Sequence, residues 1–147
     1  HLGDLQSRPE LYGKYTRQQL QQGALYSAAD FVQAQRVRSM IRDEWNEVLA
    51  GVDALVLPTT LTAAPAFKGY DPDAMRRMPT FVGIWNLVGL PAASICCGFT
   101  SAGLPVGLQI VGKPFDETTV LRIGDAYQRL TDWHTRTPSL EREVQAV

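Results

Sequence analysis

Apolar residues recur at steps of three and four from Phe31 through Ala34, Val37, Ile41 and Trp45 to Val48. Arg36, Arg38, Arg42, Asp43, Glu44 and Glu47 populate much of the remainder. That period predicts one long amphipathic helix. Ser27-Ala28-Ala29-Asp30 ahead of it has the form of a capping box with Asp at the third position, and Gly51 is placed to stop the helix in a left-handed turn. A shorter stripe of Leu11, Tyr15 and Leu20 predicts a helix over Pro9 to Gly23, with Pro9 in its first turn and Gly13 as its weak point. Val120, Ile123, Tyr127 and Leu130 predict a final helix from Asp116 to Leu130, opened by Asp116 or Thr118.

Between these helices the pattern changes to short apolar bursts. Ala54-Leu55-Val56-Leu57, ended by Pro58, has the look of a buried strand. Residues 60–78, around Pro65, Gly69 and Pro72, read as a long loop, of a length that is often functional or packed on something else. Pro79 to Val88 predicts a short helix ended by Gly89. Ala92 to Cys97 and Val106 to Val111 predict two strands. The turn chemistry of Thr100-Ser101-Ala102-Gly103 pairs them antiparallel. Past Trp133 the chain reads as irregular. The order helix, strand, helix, strand, strand, helix gives an α/β arrangement. Three strands leave sheet edges open, so the rest of the sheet is expected in sequence that is not here.

The stretch from Met78 to Gly112 holds 35 residues without a charge, long enough to raise the question of a membrane span. Pro79, Pro91, Pro105 and six glycines break it into short elements, so it reads as a buried core with no membrane partner. Hydrophobic residues at 45% and charged residues at 20% exclude intrinsic disorder. A chain of 147 residues suffices for one domain with a real core. Fourteen basic against 15 acidic residues give a net charge of −1, which argues against direct nucleic-acid binding. Cys96 and Cys97 are adjacent and make no secreted disulfide framework; they are expected as small apolar side chains of a buried strand. The chain opens on His1 without a basic-then-apolar leader, and reads as a piece of a longer protein or a processed chain with a cytoplasmic location.

Candidate chemistry is sparse. Metal centres need three or four convergent ligands, and His1, His134 and a vicinal cysteine pair are poor material, so no metal is expected. Nucleotide-binding glycine motifs are absent, and Pro105 within Gly103-Leu104-Pro105-Val106-Gly107 lacks the N–H that a phosphate cradle requires, so no cofactor is expected. A triad through Ser94 and His134 is conceivable, but Ser94 lies mid-strand rather than on an exposed elbow. The residues by themselves stop at an α/β piece without a complete active site.

Asn86-Leu87-Val88-Gly89-Leu90-Pro91-Ala92, then Gly98, then Gly103-Leu104-Pro105-Val106-Gly107-Leu108-Gln109 form a dense glycine and proline grammar. That grammar resembles the C-terminal part of amidase signature enzymes. Tyr26-Ser27-Ala28-Ala29-Asp30 with Arg36-Val37-Arg38, Val52 to Thr59, and Gly112-Lys113-Pro114-Phe115-Asp116-Glu117 are similar to elements of that family in the same order. The resemblance covers about residues 8–140. It implies an α/β fold with long amphipathic helices packed on a mixed sheet, and hydrolysis or transfer of carboxamide nitrogen. General amidases and the A subunit of glutamyl-tRNA amidotransferase are among the members.

The family's Ser–cis-Ser–Lys triad lies in a Gly/Ser-rich stretch upstream of everything matched. Lys14, Lys68 and Lys113 match none of it, so no catalytic residue is assigned and the chain is expected to be inert alone. The resemblance further implies that the 79–85 segment walls the acyl side of the substrate pocket, with Phe81, Val82 and Trp85 as the candidates. Arg17 is the candidate to hold a substrate carboxylate, as in the family's glutamine-using members. Met78-Pro79-Thr80-Phe81-Val82 lacks the acidic residue those members carry, which favours a general amidase; Cys96 stands where the family usually has Pro. Expected partners are the missing N-terminal catalytic half, a small amide substrate and further copies of the chain. A noncatalytic binding or scaffold module with the same fold remains the alternative.

Overall fold

A computed structural model describes residues 1–138, apart from the side chains of Ala74 and Arg76. The last two residues of the 8–140 span lie outside the described residues. The chain divides into two compact units, His1–Met40 and Ile41 onward, with one helix running from the first into the second.

The first unit holds α1 (Leu2–Ser7), a 3-10 turn (Pro9–Leu11), α2 (Lys14–Gly23) and the beginning of α3 (Ala28–Ala50). The single helix expected over Pro9 to Gly23 is broken. Gly13 takes φ −55° and ψ 149°, an extended conformation, and serves as the N-cap of α2. Pro9 does open a helical turn, that of the separate 3-10 element, and α1 was not foreseen. The capping box is formed. Asp30 accepts from the Ser27 backbone N–H at 3.0 Å and from its hydroxyl at 2.7 Å, while Asp30 N–H donates to Ser27 Oγ at 3.1 Å. The bonds from the Ser27 side chain, then its backbone, hold the Asp30 carboxyl below its ordinary value. Gly51 does not supply a left-handed stop. The left-handed glycines are Gly69, Gly89 and Gly103, with Gly98 at φ 156°, and α3 instead runs into a turn closed by Val52 N–H to Leu49 O at 3.3 Å.

The second unit is a three-stranded antiparallel sheet with a layer on each face. β1 (Ala54–Pro58), β2 (Ala92–Phe99) and β3 (Pro105–Gly112) lie in the order β1-β3-β2. β3 is the central strand, with Gln109, Ile110 and Val111 buried, as a strand covered on both faces should be. Register pairs Leu55 with Val111, Leu57 with Gln109 and Ser94 with Gln109, so these side chains share one face. On that face Leu49 of α3, Trp85 and Val88 of α5 (Gly83–Val88), Leu90 and Val111 form the core, joined by Ile41, Trp45, Leu55, Leu57 and Ile84. The other face takes α6 (Glu117–Leu130), where Gly124 brings the helix against Ile95 and Ile110. Asp116 caps α6 by accepting from Thr119 N–H at 3.2 Å.

Three expectations change in detail. The 60–78 loop contains a short helix, α4 (Pro72–Arg77), capped by Asp71 accepting from Asp73 N–H at 2.9 Å. The segment past Trp133 begins with a 3-10 turn, Trp133–Thr135. The α3 stripe is only partly covered. Ile41 and Trp45 pack on the core, but Phe31, Val37 and Val48 are 62%, 42% and 52% exposed, with nothing lying over them among the described residues. No described helix is long and apolar enough to cross a membrane.

Candidate functional site

The uncharged stretch after α4 helps to build a hollow of the second unit. Thr80 Oγ1 accepts from Val82 N–H at 3.2 Å, turning the chain into α5. At the other end Gly89, at φ 77°, lets its N–H and that of Leu90 both return to Trp85 O at 2.8 and 3.1 Å. These local bonds fix the two ends of the short helix. Trp85 is 4% exposed, and its Nε1–H donates to Gln109 Oε1 at 2.8 Å within the core. Its ring meets that of Trp45 edge-on, with centroids 4.8 Å apart.

Beside this anchor lies a cavity of about 360 Å³, lined by Leu55, Val56 and Leu57 of β1 together with Trp45, Thr80, Phe81, Ile84 and Trp85. The lining is almost wholly hydrocarbon and aromatic, with one hydroxyl, so it can hold an apolar group and orient little else. Phe81 is half-buried in the wall. Val82 is half-buried at the N-cap of α5, outside the lining. Trp85 lines the cavity from the core, and its buried hydrogen bond holds the helix that follows Phe81. A second hollow of about 340 Å³, lined by residues 60–65 with Met75, Met78 and Pro79, shares Thr80 with the first.

Arg17 belongs to the first unit. It is half-buried on α2, and its Nη1 donates to Pro9 O at 3.4 Å. Ser94 does not sit with a histidine. Its hydroxyl is 2.6 Å from Thr59 Oγ1, the two spanning β3 above Gly107. A Cβ at Gly107 would lie 2.7 Å from Thr59 Oγ1 and 2.8 Å from Ser94 Oγ, so this crossing exists only because position 107 is glycine. Cys96 and Cys97 are free and half-buried at a bulge in β2, rather than fully buried. Cys96 lines a hollow that His134 and Arg136 also border, and the Arg136 guanidinium there lies 4.3 Å from the Trp133 ring centroid. Among the described residues no three His, Cys, Asp or Glu side chains gather as a metal site. The sequence reading missed Gln109 and Trp45 as parts of this site; the Gln within an apolar strand was the one available signal of a buried polar contact.

Known proteins share these elements in the same order. A model of the family described as Amidase matches residues 4–121. The A subunit of the glutamyl-tRNA(Gln) amidotransferase of Chloroflexus aggregans is 45% identical over 144 residues, covering 93% of this chain and 29% of its own length. A crystal structure of an amidase superposes with TM-score 0.75 at 26% identity, over 88% of this chain and 31% of that one. The A subunit of the Thermotoga maritima glutamyl-tRNA(Gln) amidotransferase superposes with TM-score 0.64 at 35% identity, over 88% of this chain and 30% of that one. The chain thus spans less than a third of the length of each relative.

Proposed function

The chain belongs to the amidase family, and from that premise we propose that it is the C-terminal piece of an amidase that hydrolyses carboxamides to carboxylate and ammonia or amine. Its part is to complete the sheet and to wall the acyl side of the substrate pocket. Nucleophile and base are supplied by the N-terminal catalytic half, which is its partner. The observation that carries this reading is the apolar cavity at Phe81 and Trp85, formed on a segment that matches the family and held rigid by the Trp85–Gln109 bond. In that pocket Phe81 contacts the acyl group and Trp85 positions the helix that follows it, while Val82 lies outside the lining.

A hydrolase of this design attacks the amide carbonyl with a serine and transfers a proton to the departing nitrogen; water then cleaves the acyl-serine, releasing the carboxylate and restoring the serine. An apolar wall contributes by holding the acyl group so that the carbonyl meets the nucleophile. The test is to co-express the chain with the unmatched remainder of the Chloroflexus aggregans relative and measure hydrolysis of aryl and alkyl amides. Phe81→Ala should raise KM for the larger acyl groups several-fold and leave the smallest amide unaffected. Equal effects on all amides would remove Phe81 from the pocket wall.

A second reading, part of the A subunit of a glutamine-dependent tRNA amidotransferase, is favoured by the name that the Chloroflexus relative carries. On that reading Arg17 holds the glutamine carboxylate. Glutaminase activity of the same complex, abolished by Arg17→Ala, would select it; activity on aryl amides that ignores Arg17→Ala selects the general amidase.

A further inference from the structure

We infer that the hollow built by residues 60–65 and the end of α4 receives the departing amine, so that the preferred substrates are secondary amides with an apolar group on nitrogen. The inference rests on the proposed function and chooses between its two products, amine over ammonia. Two hollows meet at Thr80. The cavity of about 360 Å³ assigned to the acyl group and the hollow of about 340 Å³ share Thr80 and no other lining residue. The Thr80 side chain is fixed between them. Its Oγ1 accepts from Val82 N–H at 3.2 Å, and its methyl lies 3.6 Å from where a Cβ on Gly83 would stand. An acyl group that fills the first hollow with its carbonyl toward Thr80 sends the substituent on nitrogen into the second.

The second hollow suits a hydrocarbon. Leu61, Ala63, Pro65, Met75 and Met78 line it, and among the described residues no charged side chain does. Met75 and Met78, three apart at the end of α4, come to one side of the chain, where both are half-buried. Their unbranched thioethers adapt to groups of varied shape. Leu61 is 48% exposed, so an apolar guest would cover surface now left to water. The polar amide meets Thr80 at the junction, which carries the only hydroxyl of the acyl cavity. Glutamine fits less well, because its ammonium and carboxylate would find no charged partner among the described residues of either lining. A primary amide leaves the second hollow without use.

Hydrolysis of such an amide breaks the C–N bond. The nitrogen leaves as the free amine with a proton delivered by the catalytic half, and water supplies the oxygen that completes the carboxylate.

The test uses the co-purified complex with the unmatched remainder of the Chloroflexus aggregans relative, and one acyl group throughout. Benzamides carrying N-methyl, N-butyl and N-hexyl groups release amines of nearly equal basicity, so kcat/KM for amine release reports how the alkyl chain is held. It should rise about two- to four-fold per methylene until the hollow is filled. Ala63→Phe adds a phenyl ring to the lining and should cut the N-hexyl to N-methyl ratio at least about ten-fold. Met78→Ala enlarges the hollow instead and should move the optimum to longer chains. Each ratio is taken within one protein, so a loss of folded enzyme cancels. A kcat/KM that stays flat with N-alkyl length, or a ratio that ignores Ala63→Phe, overturns the amine subsite; a Phe81→Ala effect on the larger acyl groups then leaves the proposed function standing. A dependence on acyl length that Ala63→Phe abolishes would give the second hollow to the acyl chain and also overturn the inference. A complex that hydrolyses no amide overturns both.

Discussion

Removing the Trp85 indole N–H while keeping an aromatic ring separates the anchoring bond from the packing around it. Trp85 and Gln109 are each 4% exposed, and the bond between them is 2.8 Å. Trp85→Phe leaves Gln109 Oε1 buried without its donor, which costs about 1–3 kcal/mol, on top of the lost ring volume. Gln109→Met leaves the indole N–H orphaned at a similar cost of about 1–3 kcal/mol. The double variant has neither orphan, because both members of the pair are gone. Its destabilisation should therefore fall short of the sum of the two singles by the two orphan penalties together, about 2–6 kcal/mol. Urea unfolding followed by far-ultraviolet circular dichroism reads all four proteins, with the slope m checked for constancy. Additivity to within about 0.5 kcal/mol would refute the reasoning, since uncoupled residues add and a shared buried bond does not.

Gly107→Ala should destabilise the chain by about 1–3 kcal/mol, because its Cβ must force apart the Thr59 and Ser94 hydroxyls; an unchanged urea midpoint would contradict that crossing. The Asp30 carboxyl, lowered by its bonds from Ser27, favours the folded form above the unfolded-state pKa, and this contribution fades as pH falls through the lower folded value. A carbon-detected titration should find Asp30 below its ordinary 3.8 and returning toward it in Ser27→Ala; identical titrations would dismiss the capping box.

Side-chain caps and the hairpin turn survived the passage from sequence to structure, whereas Gly51 as a left-handed stop and one helix over Pro9 to Gly23 did not. The Ser27–Asp30 capping box and the Asp116 cap are set by residues three apart, so both were legible. The antiparallel hairpin was legible because its turn is short and Gly103 takes φ 77° within it. The start of α4 was written in Asp71-Pro72, a cap followed by a proline in the first turn, but the surrounding prolines and glycines masked it. Burial of the α3 stripe was legible only at Ile41 and Trp45. Periodicity says which residues share a face but not what packs on it, and Phe31 and Val37 are left exposed. The site divides in the same way. The uncharged stretch was legible as buried, while Phe81 and Trp85 were singled out only through the family resemblance, and the 24-residue separation of Trp85 and Gln109 hid the bond between them. Arg17 was placed by position in the sequence, and its described contact is to Pro9 in its own unit.

Ammonia release tests the central claim most directly. The purified chain, incubated with a panel of aryl and alkyl amides and with glutamine, should release none above the blank. Its co-purified complex with the unmatched remainder of the Chloroflexus aggregans relative should turn over at least one of these amides. Turnover by the chain alone that disappears in Ser94→Ala or His134→Ala would contradict the account, because it would place a working nucleophile or base in a chain whose proposed part is to complete a sheet and a pocket.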